Sequence, residues 1–506
     1  MSTSPQIVLY EPIYWGARIN VQRAPLGLLA VSALLDREGY VIRIVSKTLY
    51  DNTEEKVLEG CRDAVCFGIT SLTGYQIIDG IKMAKKVRQE YPNLPIVWGG
   101  WHPTMEPDQT GRSPYVDIIV RGQGEVTFTD LVHALEEGKP LDNIAGISFK
   151  KDGEFIHNPD RPLLDINEFP SMPYHLIDVE KILSNDEFGD RVLNYSSGYG
   201  CPHKCGFCAG WGAPGKSWSG LTASRMADDF EKMVREYQVD CIAMVDNQFF
   251  LSEARVKSFC EELIRRKLDV KWDNVSGNIR QLLRWDDDMW RLMYRAGCRS
   301  IPVGAESGFQ DALDLINKSL TVEETVRFAE KAKRHGIKII FATILGLPWD
   351  IDHARTQELI KREFKLTMDL AEKILSISRK HRVSFYLYTP YPGTPLYQRA
   401  LDLGLKPPRE LEGWGNWVMS KLNIPWMPKK VAKRSQFISE YIFFFMDPFA
   451  YNWVTARVGN RLARFLLKVA YKVFIGIAKL RWRFKFFALP IDYWIYRWGR
   501  GILGIG

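Results

Sequence analysis

The sequence predicts an α/β protein built from two strand–helix series and a basic helical tail, and three observations carry that prediction. Residues 1–150 alternate short apolar runs with helix-like segments. A second series of six apolar runs, again separated by helical stretches, fills residues 191–400. From Arg457 onward eleven basic residues stand against Asp492 alone, so the net charge of +8 belongs to the tail and the body is near neutral. At 506 residues, with 46% hydrophobic and 25% charged residues, the chain has enough apolar material for two or three cores.

In the first series, residues 7–10, 41–45, 64–69, 96–98 and 117–120 read as strands, with helices over 26–38 and 77–91. This is the pattern of an open parallel, Rossmann-like sheet, in which ligands bind at the carboxyl ends of the strands. The loops there are suited to that task. They are Thr70-Ser71-Leu72-Thr73 after the third strand, Gly99-Gly100-Trp101-His102 after the fourth, and Arg121 to Glu125, with Gly122 and Gly124, after the fifth. Glycines let backbone approach a bulky ligand and small hydroxyls bond its polar edges. Each loop taken singly reads equally well as an ordinary turn.

Residues 151–190, with Pro159, Pro162, Pro170 and Pro173, have no sustained periodicity and read as a connector. The second series then places strands at 191–197, 241–246, 270–275, 300–306, 338–346 and 382–388, with helices over 222–237, 253–267 and 322–335. At the first strand's end stands Cys201-Pro-His-Lys-Cys205-Gly-Phe-Cys208. Three thiols spaced four and three apart converge on one centre and leave one coordination position open, as a [4Fe–4S] cluster with three protein ligands does. Zinc is the competing metal, but it wants a fourth ligand and only His203 is near. The other five cysteines are scattered through apolar or helical stretches, which argues against a disulfide framework and for a reducing, low-oxygen cytosol. No basic segment precedes the first strand, so no secretory signal is expected.

Other strand ends carry candidate ligands. Asp246 ends the second strand and reads either as a ligand-binding carboxylate or as a helix N-cap. Glu306 closes an apolar run and needs a partner for its buried charge. Ile344 and Leu345 lead into a Gly-Leu-Pro turn, Ser276, Asn278 and Arg280 read as polar lining, and the proline-rich loop 388–397 stiffens the rim. Residues 401–506 form the helical tail. There basic residues at 457, 461, 464, 468, 472 and 479 fall on one stripe, among aliphatics and aromatics. No uncharged run reaches the roughly 20 residues of a membrane span. The tail reads as an amphipathic helix in the headgroup plane, or as a helix packed on the body with a solvated basic face; nucleic acid is not expected.

The cysteine run, with Phe207 before its last thiol, resembles the signature of the radical S-adenosylmethionine (SAM) family. The first 150 residues ahead of it resemble the cobalamin (B12)-binding domain of the cobalamin-dependent members. That resemblance implies a partial (β/α)6 barrel, with Cys201, Cys205 and Cys208 as catalytic cluster ligands and SAM on the open iron. It also implies SAM contacts from Phe207, Asp246 at the methionyl amino group, Glu306 at the ribose or ammonium, and Ile344 and Leu345 at the adenine. Cobalamin would contact Thr70, Ser71, Leu72, Thr73, Gly99, Gly100, Trp101, His102, Gly122, Gly124 and Glu125. No Asp-x-His-x-x-Gly run is present, so His102 is expected at the cofactor's edge and no imidazole beneath the cobalt.

The resemblance further implies reductive cleavage of SAM to a 5′-deoxyadenosyl radical, with a flavodoxin or ferredoxin as electron donor. C-methylation of an unactivated carbon in a lipid, isoprenoid or tetrapyrrole is the leading expectation. Oxidative cyclisation, carbon–carbon coupling or ring contraction is the alternative, and a non-catalytic cobalamin or cluster sensor the remote one. The tail would hold the enzyme on the inner face of the membrane.

Overall fold

A parallel strand buried on both faces has to be apolar along its whole length, and β1 (Gln6–Glu11) is buried from its second residue to its last. It forms the centre of a seven-stranded sheet with β2 (Val41–Ser46), β3 (Ala64–Thr70), β4 (Ile96–Gly99), β5 (Ile118–Val120), β6 (Ile147–Lys151) and β7 (Glu154–His157). The structure is a computed structural model and describes residues 6–13, 22–212, 218–418, 424–447 and 461–502; residues 1–5 and Arg457, both used in the sequence reading, lie outside these.

The strand order is β2-β1-β3-β4-β5-β6-β7, with β1 to β5 parallel. Because β1 and β3 are neighbours whose connections leave in opposite directions, a crevice opens between their carboxyl ends. The last two strands are antiparallel and carry the sheet to His157, beyond the expected boundary at 150. β7 is half exposed and polar, which hid it. The signal that marks it is Asp152-Gly153, both with positive φ (51° and 86°), as a two-residue hairpin turn requires.

The six expected barrel strands are β8 (Val192–Tyr195), β11 (Cys241–Met244), β12 (Lys271–Asp273), β13 (Ser300–Glu306), β14 (Lys338–Leu345) and β15 (Arg382–Leu387). A short hairpin, β9 (Gly198–Gly200) with β10 (Trp218–Gly220), follows the first. β8, β11 and β12 pair in parallel, as do β13, β14 and β15. Parallel bridges Trp272 to Cys298 and Gly277 to Val303 join the two sets into one open arc. Capping sets the helix boundaries: Thr321 and Glu324 form a reciprocal box at the start of Val322–Arg334, and Ser252 and Thr222 cap Glu253–Arg265 and Ala223–Tyr237.

Two cores result. One face of the first sheet (Ile7, Leu9, Ile44) packs on helices Leu26–Arg37 and Gly124–Glu136 and runs on into the barrel and the tail helices. The other (Val8, Tyr10, Phe67, Trp98) packs on helix Tyr75–Glu90 and on residues 396–431, whose Leu411, Trp414, Trp417 and Trp426 are buried. The C-terminal region is therefore two units. The described residues from Leu396 to Val431 strap the first sheet to the barrel, the segments Lys429–Phe437 and Ile438–Phe443 pack against β15, and the last two helices pack on the aromatic residues of 437–445.

Candidate functional site

The cysteine loop is held by backbone contacts from elsewhere in the chain. Gly206 N–H donates to the Ile316 carbonyl (2.8 Å), Leu396 N–H donates to the Gly206 carbonyl (3.1 Å), and Asn317 Nδ2 donates to the Lys204 carbonyl (3.1 Å). Cys201, Cys205 and Cys208 are half-buried. Gly210 N–H donates to Cys208 Sγ at 3.3 Å, the kind of bond that tunes a cluster's potential. Among the described residues, the one trio whose ligand atoms lie within 4.8 Å of one another is Asp186, Cys241 and Asp273, before β8, at the start of β11 and at the last residue of the short β12. The cysteine loop is thus more open than a bare-ion site, as a cluster requires.

Two carboxylates expected to meet SAM have partners within the chain. Glu306 is buried and bonds Lys318 Nζ at 2.6 Å, so the compensating cation is a lysine and not the cofactor. Lys318 carried no sequence signal. It lies twelve residues downstream, after the short helix Gln310–Leu315. Glu306 also has φ +59°, uncommon outside glycine, at a break in the β13–β14 register, and such strain gathers at functional sites. Burial pushes the thiols of Cys201, Cys205 and Cys208 up, and the lysine's charge opposes that rise at all three.

Asp246 accepts from Ser197 N–H (3.1 Å) and Ser197 Oγ (2.8 Å), while Arg255 donates to the same Ser197 hydroxyl at 2.9 Å. Burial pushes its carboxyl up to about 6 against these bonds and the arginine's charge. It caps no helix. It ties the end of β11 to the end of β8 and therefore supports the strand that leads into the cysteine loop.

Successive strand residues face opposite sides, so Ile344 and Leu345 cannot both reach the barrel interior. Leu345 is fully buried in the core with Ile339 and Phe341, and Ile344 is the half-buried one. The turn that follows is fixed from two sides. Gly346 N–H donates to Glu363 Oε2 (3.0 Å) and Trp426 Nε1 donates to the Gly346 carbonyl (3.0 Å). Burial pushes Glu363 up to about 8. Of the other polar residues, Asn278 caps helix Ile279–Arg284 and stands 3.5 Å from His203, and exposed Arg280 pairs with Glu324.

At the crevice of the first sheet lies a cavity of about 500 Å³, within the range of cofactor sites. Thr70, Leu72, Gly99, Gly100, Trp101, Gly122, Gly124 and Glu125 line it. Its floor is apolar (Leu9, Val97, Phe128) and depends on glycine: a Cβ at Gly68 would meet Leu9 Cδ2 at 2.6 Å, and one at Gly124 would meet Val31 at 2.9 Å. Gly100 has φ +94°, and a Cβ there would come within 2.8 Å of the Ser71 carbonyl. Glu125 sits at a helix N-terminus, where burial raises its carboxyl and nearby backbone N–H groups oppose the rise.

Three expected contacts fall outside this lining. Ser71 is buried and links two loops, its N–H donating to the Gly99 carbonyl (2.9 Å). Thr73 meets His102 Nδ1 at 3.0 Å. His102 is 1% exposed and packs on the Trp414 ring (centroids 5.4 Å), so it faces the strap and not the cofactor's edge. Burial pushes its pKa down to about 3. The sequence missed the opposite wall, which comes from the connector and the barrel: Phe169, Met172, Tyr195, Tyr199 and Val245. The cavity thus opens beside the strand that carries the cysteine loop.

Family models agree with this geometry. The B12 binding domain matches residues 16–132 and the radical SAM superfamily matches residues 195–360. This chain joins a B12 binding domain to a radical SAM domain. It is 29% identical to an uncharacterized methyltransferase of Pyrococcus horikoshii over 74% of this chain and 78% of that one. It is 27% identical to the anaerobic magnesium-protoporphyrin IX monomethyl ester cyclase of Rubrivivax gelatinosus over 78% and 70%. The solved structure of the cobalamin-dependent radical SAM enzyme OxsB shares its fold, with a TM-score of 0.68 at 18% identity over 94% and 72%. The cofactors of the radical SAM enzyme are a [4Fe–4S] cluster, SAM and cobalamin. The three half-buried cysteines and the glycine-floored cavity fit the cluster and the cobalamin.

Proposed function

We propose that this radical SAM enzyme methylates an unactivated carbon of a hydrophobic substrate, a lipid, isoprenoid or tetrapyrrole. The observation that carries the reading is that Tyr199, two residues before Cys201, and Val245 line the cavity, so a cofactor held there would lie beside the cysteine loop. When bound, the cluster supplies the electron that cleaves SAM, and cobalamin supplies a cobalt able to carry a methyl group. In this reading Cys201, Cys205 and Cys208 hold the cluster, Phe207 and Ile344 flank SAM, and Lys318, oriented by Glu306, offers its carboxylate an ammonium. The glycine loops hold cobalamin, and loop 388–397 shields the mouth from water. A flavodoxin or ferredoxin delivers the electron. The methyltransferase relative and the exposed apolar tail support the methyl transfer and the hydrophobic substrate respectively.

A second reading, oxidative ring formation or carbon–carbon coupling, is favoured by the likeness to a cyclase. Anaerobic reconstitution with iron, sulfide and hydroxocobalamin, then reduction with methyl-labelled SAM and a membrane-lipid extract, separates the two. Label in an extractable lipid together with S-adenosylhomocysteine and 5′-deoxyadenosine is the expected result. 5′-Deoxyadenosine without label in any product overturns the methylation reading in favour of the second.

A further inference from the structure

The C-terminal helices Arg461–Phe484 and Ile491–Ile502 form a hairpin whose two sides differ in kind. The inner side is an aromatic core: Tyr471 and Phe474 lie 4.7 and 5.1 Å from Phe445, and Tyr493 lies 5.3 Å from Phe437, all between ring centroids. A clasp fixes the turn. Arg481 reaches both oxygens of Asp492 (2.9 and 2.6 Å) and the carbonyls of Ala488 and Leu489 (2.9 Å each). The hairpin is therefore a built unit and not a loose tail.

Its outer side is apolar. Of eighteen exposed large hydrophobic residues among those described, thirteen lie between Leu462 and Trp498, with Phe484 69% and Trp498 72% exposed. On the first helix they recur at 462, 465, 466, 469, 473, 480 and 484, one stripe opposite the core. On the second they fall at 491, 494, 495 and 498, again one face. Exposed Arg461, Lys468, Lys472, Lys479 and Arg483 lie about a quarter-turn round the first helix from its apolar stripe, at roughly 100° per residue. Asp492, the one carboxylate between 461 and 502, is turned inward. No helix among the described residues is long and apolar enough to cross a membrane.

We propose that this hairpin lies in the surface of an anionic bilayer, its apolar stripe among the acyl chains and its basic flank at the phosphate level. A large exposed apolar patch needs a cover, and a flank of cations without carboxylates selects a negatively charged one. A second copy of the chain would bring the same cations face to face. This surface goes beyond the reaction, and its test reads binding and not turnover.

The test is flotation of the full-length holoenzyme with vesicles of phosphatidylglycerol and phosphatidylethanolamine, and with vesicles of phosphatidylcholine alone. The expected result is flotation with the anionic vesicles, weakened by salt. Trp494→Ser with Trp498→Ser, and separately Lys468→Glu with Lys472→Glu, each lower it by about tenfold or more, the second pair acting on anionic vesicles alone. Cobalamin and iron content stay unchanged in both. Absence of wild-type flotation overturns the proposal. So does a dimer that the tryptophan pair converts to monomer in the absence of lipid, which makes the face a protein interface.

Discussion

The two halves of the site are built by opposite means. At the ligand ends of the first sheet, recognition is made of room: Gly68, Gly100 and Gly124 leave space where any side chain would strike Leu9, Ser71 or Val31. At the barrel's carboxyl ends it is made of charge and sulfur, with three thiols, the Lys318–Glu306 pair and the Asp246–Ser197–Arg255 network. A steric site fails when something is added and is not repaired by a second change elsewhere. An electrostatic site fails when one partner is removed and recovers when the other goes too. The contrast predicts different outcomes for substitutions in the two halves.

The largest effect is expected at the thiols. Cys208→Ala should bring cluster absorbance and 5′-deoxyadenosine formation to background while cobalamin still binds, because the steric half does not depend on the charged one. Loss of both cofactors together would break the comparison. Next comes Lys318→Met, which strands the Glu306 carboxylate in the interior and should cost about 3–5 kcal/mol in chemical denaturation. Adding Glu306→Gln should restore most of it, and failure of the double variant to recover would remove the electrostatic account. Gly100→Ala forces a side chain into a backbone region open to glycine and should cost about 1–3 kcal/mol, with loss of retained cobalamin and no rescue from a neighbouring charge change.

The smallest effect sharpens the comparison from inside the steric half. His102 has a folded pKa of about 3 against 6.5 when unfolded, so between those values the unfolded chain binds more protons. Its contribution to stability is complete above pH 6.5 and is lost as pH falls toward 3, by up to about 1.4 kcal/mol per unit. Denaturation of His102→Gln across pH 4–7 should show a shallower slope than the wild type. Equal slopes would mean that the imidazole takes up its proton as readily in the folded protein as in the unfolded chain.

What could be read in the sequence was whatever is local. The strand runs, the cysteine spacing and the glycine loops each announce themselves within ten residues, and the glycine-loop side of the cavity followed from them. The failures are relations between distant residues. Nothing near Glu306 names Lys318 as its partner, and nothing near His102 says that Trp414, more than three hundred positions away, will take it from the cavity. Alternation alone could have separated Ile344 from Leu345, and Asp152-Gly153 could have revealed β7. The cavity wall formed by Phe169 and Met172 had no such mark, since a proline-rich segment without periodicity gives no hint of what it will face.

The strap of residues 396–431 bears on the order of synthesis. Gly415 presses on Ile78, and Trp414 Nε1 bonds Gln109, so one face of the first sheet stays uncovered until these late residues exist. The ribosome has made most of the barrel before that face can close. The sheet that leaves the ribosome first is thus among the last parts of the protein to be finished, and a chain truncated near residue 400 should leave it open to chaperones and proteases.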